Sequence, residues 1–281
     1  VKPAAFAYAR PSTVDEALSL LAGGADDARV IAGGQSLVPM LALRLSQPGL
    51  LVDINRVGGL GGIALEGSTL RIGALVRHAE ALASPLVAEA PLVARALPHV
   101  AHAAIRNRGT IGGSIALADP AAELPACLLA AGGSVEIAGA NGRRTVDADA
   151  MFLDLYRTAV EPGELLTAVS FARPLATSRF FFDEFARRHG DYALAGLAAR
   201  AEVAGGRIGS VRLAFFSVGV TPVRARRAEA VLSDGGDADD AVRALADDLD
   251  PTGDAQASAA LKRHLAGVLL RRAVTSFRGD A

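Results

Sequence analysis

The sequence predicts an α+β chain in three parts, and three features of its pattern carry that prediction. Residues 1–54 run strand, glycine turn, helix, strand, the order of a β/α unit. Residues 55–175 mix helices with strands, and Asn141–Gly142 between two apolar alternations is a hairpin signal. After Pro174 the pattern changes to long strands about Gly205–Gly206, followed by helices, so residues 176–281 form a smaller α/β piece.

In the first part, Thr13–Val14–Asp15–Glu16 has capping-box spacing, since a threonine hydroxyl and a glutamate three residues on can exchange hydrogen bonds with each other's backbone N–H. Val14, Ala17, Leu18 and Leu21 follow at helical spacing, and Gly23–Gly24 can end that helix. The apolar run 28–32 is broken by Gly33–Gly34. A second helix is expected after Ser36, with Pro39 in its first turn, and 50–54 reads as a buried strand.

In the second part, 70–74 reads as a strand, and 76–83 and 90–101 as helices. Residues 110–115 read as a strand interrupted by Gly112–Gly113, and 120–131 as a helix with proline near its start. Strands are expected at 134–138, 144–148 and 165–172. In the third part, strands are expected at 179–185 and on either side of Gly205–Gly206, although 193–203 is alanine-rich enough to be helical by propensity alone. The terminal helix carries Leu261, Leu265, Val268 and Leu269 as one apolar stripe.

Composition removes several classes of function. A net charge of −1 with interspersed signs gives no phosphate-tracking stripe, and no Trp with 3 Tyr leaves little for base stacking, so nucleic acid is not an expected partner. No apolar run is long enough to span a bilayer and no charged-then-apolar leader is present, which predicts a cytoplasmic chain. Cys127 is the only cysteine. An internal disulfide and a four-cysteine iron–sulfur site are excluded, and any such cluster belongs to another chain.

Two glycine segments carry the chemistry. Ala32, Gly33, Gly34, Gln35, Ser36 and Leu37 follow a strand and precede a helix, where bare backbone N–H groups and the helix dipole can meet a phosphate. The segment is neither a dinucleotide G-x-G-x-x-G nor a Walker sequence, and a glycine turn with a capping serine explains it equally. Thr110, Ile111, Gly112, Gly113 and Ser114 repeat the theme about eighty residues later. Together the two segments can cradle the ends of a dinucleotide, with Glu123 or Asp119 accepting from sugar or ribityl hydroxyls. On that reading, bulky residues at 112 and 113 would remove the ligand and spare the fold.

The ordered runs AGGQSLVPMLALRL (32–45), IRNRGTIGGSIALADPAAELPA (105–126), EPGELL (161–166) and RRHGDYALAG (187–196) closely resemble the FAD-binding medium subunit of molybdenum hydroxylases. Carbon monoxide dehydrogenase and bacterial xanthine, nicotine and caffeine dehydrogenases form that group. The resemblance extends from FAYARP at 6–11 to GVTPVRAR at 219–226. It implies a two-part FAD domain of the vanillyl-alcohol-oxidase type and a C-terminal domain of the carbon monoxide dehydrogenase flavoprotein type. Residues 32–37 would wrap the FAD pyrophosphate, and 110–114 would form the second FAD loop. Glu123 would be the acidic contact, with Asp119 secondary. Leu165 and Leu166 would pack near the flavin, Tyr192 would lie beside its ring, and Ala101 completes the set. No residue is expected to be catalytic or to bind metal.

The resemblance also implies partners: a large molybdenum–pterin chain and a small chain with a 2Fe–2S cluster, in a heterotrimer able to dimerise. FAD here would collect electrons from the cluster and pass them to an external acceptor. Two other readings compete: a stand-alone FAD oxidoreductase of the wider fold, and a non-catalytic assembly subunit that has lost its flavin. The chain departs from its relatives at Gln35 (histidine in some) and Ser114 (asparagine or aspartate in many). Val100 and Ala186 stand where animal xanthine dehydrogenases have phenylalanine and lysine, so the acceptor stays open.

Four further features invite simpler explanations. His99 and His102, three apart on an expected helix, lack a third metal ligand. Ser36 and Ser114 are not in a nucleophile-elbow sequence. Cys127 fits a buried small hydrophobe, and Arg224, Arg226 and Arg227 fit a solvated helix start.

Overall fold

The structure is a computed structural model that describes residues 2–24 and 27–279. Residues 1, 25, 26, 280 and 281, inside the expected first and third parts, lie outside the described residues. The chain opens with β1 (Ala7–Ala9), α1 (Val14–Gly23), β2 (Ala28–Ile31), α2 (Leu37–Ala42) and β3 (Leu50–Asp53). The three strands form a parallel sheet ordered β1-β3-β2. The expected capping box starts α1: the Glu16 N–H donates to Thr13 Oγ1, and Glu16 accepts from the Thr13 N–H. Ala17 and Leu21 bury the helix against β3.

The second group contains β4 (Ile63–Glu66), β5 (Thr69–Gly73), α3 (His78–Ala83), α4 (Pro91–Ala96), α5 (Ala103–Arg106), α6 (Ile111–Leu117) and α7 (Glu123–Ala131). It continues with β6 (Ser134–Gly139), β7 (Gly142–Asp147), β8 (Phe152–Asp154), β9 (Arg157–Thr158) and β10 (Leu165–Ala172). An antiparallel sheet ordered β4-β5-β10-β6-β7 gathers most of these strands, with the Asn141–Gly142 hairpin between β6 and β7.

The third group has β11 (Ser178–Ala186), β12 (Ala193–Ala204), β13 (Arg207–Phe216), β14 (Val223–Arg224), α8 (Arg226–Ser233), α9 (Ala238–Ala244) and α10 (Ala259–Arg278). Its four strands form an antiparallel sheet with α7 on one face and α8 and α10 on the other. This two-sided burial is why alanine-rich β12 is a strand. Ala195, Leu197 and Ala199 face one hydrophobic cluster while Ala198 faces the other, and burial of a pleated surface outweighs alanine's helical preference. Gly196 makes room for the Phe216 ring, which stacks on Phe182 with centroids 5.9 Å apart.

Four expectations are corrected. Residues 110–115 are not a strand: Thr110 is the extended N-cap of α6, its Oγ1 accepting from the Gly113 N–H at 3.1 Å. The glycines sit in the first turn, where they press the helix onto the end of β5; a Cβ on Gly112 would stand 2.7 Å from Ala74 Cα. His99 and His102 do not share a helix, because α4 ends at Ala96 and His102 precedes α5. The stripe of α10 is rotated from the expected one. Leu261 is 41% exposed, and Lys262, Ala266, Leu269, Leu270, Ala273 and Phe277 face inward. Arg224 is not a solvated helix start but lies in β14, paired with Glu229 and, at 3.2 Å, with Asp149. Arg212 also grips Asp149 at 3.0 Å and the Leu129 carbonyl at 2.8 Å, which ties the third sheet to the end of α7.

Candidate functional site

A cavity of about 770 Å³ opens where the three groups meet. Sixteen of the seventeen residues singled out from the sequence line it: 32–37, Ala101, Thr110, Gly112, Gly113, Ser114, Asp119, Glu123, Leu165, Leu166 and Tyr192. Ile111 does not, because its side chain is buried in the core at 2% exposure. The volume falls within the roughly 300–1,000 Å³ range of small-ligand sites.

The first glycine segment is held open by a polar network. Asn55 Nδ2 donates to the Ala32 carbonyl at 2.8 Å and to Asp53 Oδ1 at 2.5 Å. Arg77 donates to Asn55 Oδ1 at 2.5 Å and to the Arg108 carbonyl, so one guanidinium joins the first segment to the approach of the second. Gly33 lies so close to Arg108 that a Cβ would fall inside that carbonyl, and Gly34 has φ +72°. Among the described residues, the backbone N–H groups of Gly33, Gly34, Gln35 and Ser36 have no hydrogen-bond acceptor in the chain. Ser36 makes no side-chain cap either, so the capping explanation of this serine fails. Donors left bare beside a cavity at a helix start form an anion cradle.

The second segment differs. The N–H groups of Ile111 and Gly112 donate to the Val76 and Ala74 carbonyls, each at 3.0 Å, and those of Gly113 and Ser114 return to Thr110. This wall offers the Ser114 hydroxyl and a close helix surface, not free backbone donors.

Charge at the site is set by burial. Glu123 begins α7 and its carboxyl is pushed up to about 7, first by burial and then by the negative charge of Asp119. Near neutrality it exchanges between a hydrogen-bond acceptor and a protonated donor. His78 is brought in by α3, a residue for which the sequence offered no signal. Burial, with Arg106 and Arg77 adding repulsion, lowers its pKa to about 4, so the imidazole is neutral. Arg106 anchors the Ala101 carbonyl at 2.7 Å, fixing the turn in which Ala101 takes φ +42°.

Tyr192 stands at the mouth, 64% exposed, beside Tyr156 of the β8–β9 turn, which is 55% exposed. Tyr156 was also invisible to sequence reasoning, since only the tertiary fold brings this turn to the cavity. Partial burial and the Asp119 charge push the Tyr192 hydroxyl up to about 12, and burial raises Tyr156 as well. Both phenols are therefore neutral donors. Their exposed aromatic surface suits this end to a flat ring, while the 32–37 end suits a phosphate.

The family described as the FAD binding domain in molybdopterin dehydrogenase matches residues 4–174, and the CO dehydrogenase flavoprotein C-terminal domain matches residues 180–277. The carbon monoxide dehydrogenase medium chain of Hydrogenophaga pseudoflava is 37% identical over 279 residues, covering 98% of this chain and 97% of that one. The 6-hydroxypseudooxynicotine dehydrogenase complex subunit alpha of Paenarthrobacter nicotinovorans is 44% identical over 236 residues, 83% of this chain and 80% of that protein. Among solved structures, a chain of Hydrogenophaga pseudoflava carbon monoxide dehydrogenase lacking the Mo-pyranopterin moiety of its cofactor is similar with a TM-score of 0.95. That match has 38% identity and covers 99% of both chains. A chain of quinoline 2-oxidoreductase from Pseudomonas putida 86 is similar with a TM-score of 0.92 and 37% identity, again covering 99% of both.

Proposed function

This chain belongs to the FAD-binding medium subunits of the molybdenum hydroxylases, which are oxidoreductase subunits, and from that premise we propose that it works as the electron relay of a cytoplasmic heteromeric complex. Its partners are a large molybdenum–pterin chain and a small 2Fe–2S chain in a heterotrimer that can dimerise. The bare N–H groups of Gly33 to Ser36 beside the cavity carry this reading, because among the described residues they have no acceptor and one anion can meet them together.

FAD, when bound, supplies the one- and two-electron chemistry that no side chain here has. The chain's residues do the rest. Residues 32–37 receive the pyrophosphate, and the α6 wall, with Ser114, limits how the dinucleotide lies. Glu123 and Asp119 accept from hydroxyls of the sugar or ribityl chain. Tyr192 covers the ring, Leu165 and Leu166 exclude water behind it, and Ala101 contributes backbone at the turn. Electrons arrive from the iron–sulfur chain and leave to an external acceptor, and the organic substrate is oxidised elsewhere in the complex.

The visible spectrum of the purified chain tests this, with the released cofactor identified after denaturation. A flavin spectrum and released FAD are expected. Colourless protein that cannot be reconstituted with FAD overturns the proposal. Copurification with a large molybdenum chain and a small iron–sulfur chain separates the relay from a stand-alone enzyme.

A further inference from the structure

Asp53 ends β3, the middle strand of the parallel sheet, and is 8% exposed. A carboxylate held that far from water needs donors on both oxygens. Its Oδ1 accepts from the Asn55 N–H at 2.9 Å and from Asn55 Nδ2. Its Oδ2 accepts from the Tyr8 hydroxyl, which reaches across from β1, and Arg10 Nε stands 3.5 Å away. Burial by itself would raise this carboxyl. Donation from Tyr8 and Asn55, with the charge of Arg10, outweighs burial and holds it below the usual carboxylate range, so it is ionised at neutral pH.

These contacts fix which way the Asn55 amide faces. Its Nδ2 spends one proton on Asp53 and the other on the Ala32 carbonyl, while its oxygen accepts from Arg77. Turned over, the amide would set its oxygen against that carbonyl and the Asp53 carboxylate, and its NH2 against the Arg77 guanidinium. The tolerated sense pins the carbonyl that immediately precedes the bare N–H groups of Gly33, Gly34, Gln35 and Ser36. Tyr8, Asp53 and Asn55 themselves do not line the cavity.

We propose that Tyr8 and Asp53 are positioning residues for the phosphate cradle: from outside the cavity they lock Asn55, and through it the Ala32 peptide, so that the N–H groups of 33–36 meet the phosphate together. Tyr8 is the informative member. It lies on an outer strand of the sheet and is 56% exposed, so removing its hydroxyl takes away one hydrogen bond without opening the core. The inference rests on the proposed function in one respect, that the phosphate is the pyrophosphate of FAD.

The test compares Tyr8→Phe, Asn55→Ala and the double variant in the purified full chain freed of flavin, with FAD affinity read from flavin fluorescence on titration. Tyr8→Phe should weaken FAD about threefold to tenfold while the thermal midpoint of the flavin-free chain stays unchanged. The double variant should bind no more weakly than Asn55→Ala alone, because Tyr8 acts through Asn55. A second readout needs no ligand. The amide NMR signals of Gly33 and Gly34 should move in flavin-free Tyr8→Phe, and those of Gly112 and Gly113 should stay. Parent affinity in Tyr8→Phe, losses that add in the double variant, or unmoved Gly33 and Gly34 signals each overturn the lock. If Asn55→Ala fails to fold, Tyr8→Phe decides by its affinity and its amide signals. A parent chain that takes up no FAD overturns the proposed function instead, and the amide signals still report on the lock.

Discussion

The two glycine segments look alike in the sequence, yet they do opposite things with their backbone. At 32–37 the glycines keep side chains away from the Arg108 carbonyl and leave four N–H groups without acceptors. At 110–114 the glycines let a helix sit on Ala74, and every N–H in the first turn is spent inside the chain. A pair of glycines beside a hydroxyl therefore marks close approach of backbone, and the N–H groups left over decide its meaning. In both segments the space is filled by the protein itself, by Arg108 at Gly33 and by Ala74 at Gly112. Among the described residues, only the first segment keeps donors without acceptors.

Four substitutions test that contrast, the first three in descending order of effect. Gly112→Leu should be the most damaging, because its side chain has to enter Ala74. Overpacking of this kind costs about 1–3 kcal/mol or more, and the readout is soluble yield and thermal midpoint. This reverses the expectation that bulk at 112 would spare the fold; a stable variant without FAD would restore it. Gly33→Ala should weaken FAD by at least roughly tenfold, since its Cβ displaces the cradle from Arg108, with the flavin-free midpoint changed less than in Gly112→Leu. Equal flavin content in mutant and parent would mean that this segment is not the cradle.

Thr110→Ala removes the cap of α6 and should cost about 1 kcal/mol in stability, measured by urea unfolding, without selective loss of flavin. Glu123→Gln has an effect that is visible only as a pH dependence. The native carboxyl is raised to about 7, so the folded chain keeps this proton while the unfolded chain loses it near the usual carboxylate value. The stability so gained is present in acid and is lost as pH rises toward 7. Flavin-free Glu123→Gln should therefore match the parent near pH 4 and melt above it at pH 8. A constant difference across that range would remove burial as the cause.

Much of this contrast lay beyond the sequence for physical reasons. Local patterns were informative where local physics decides the outcome. The Thr13–Glu16 capping box, the Asn141–Gly142 hairpin and the strand at Leu165–Ala172 all form where residue spacing places them. Residues 110–115 misled because a six-residue stretch with two isoleucines about two glycines has no period long enough to separate a bulged strand from a helix start. His78 and Tyr156 reach the cavity from α3 and from the β8–β9 turn, and neither neighbourhood carries a motif. Leu261 suggested the wrong face of α10, since helical spacing admits two overlapping stripes and only the sheet beneath chooses between them.

The Arg77 bridge between Asn55 and the Arg108 carbonyl has a consequence for how the protein is made. Ribosomal synthesis finishes the 32–37 cradle early, but its opposite edge does not exist until Arg108 has emerged, and the mouth waits for Tyr192. A growing chain thus carries for most of its synthesis a row of unmet donors with no enclosure around them. Cofactor loading belongs after translation, and in flavin-starved cells the chain should accumulate as a folded apoprotein that fills on resupply.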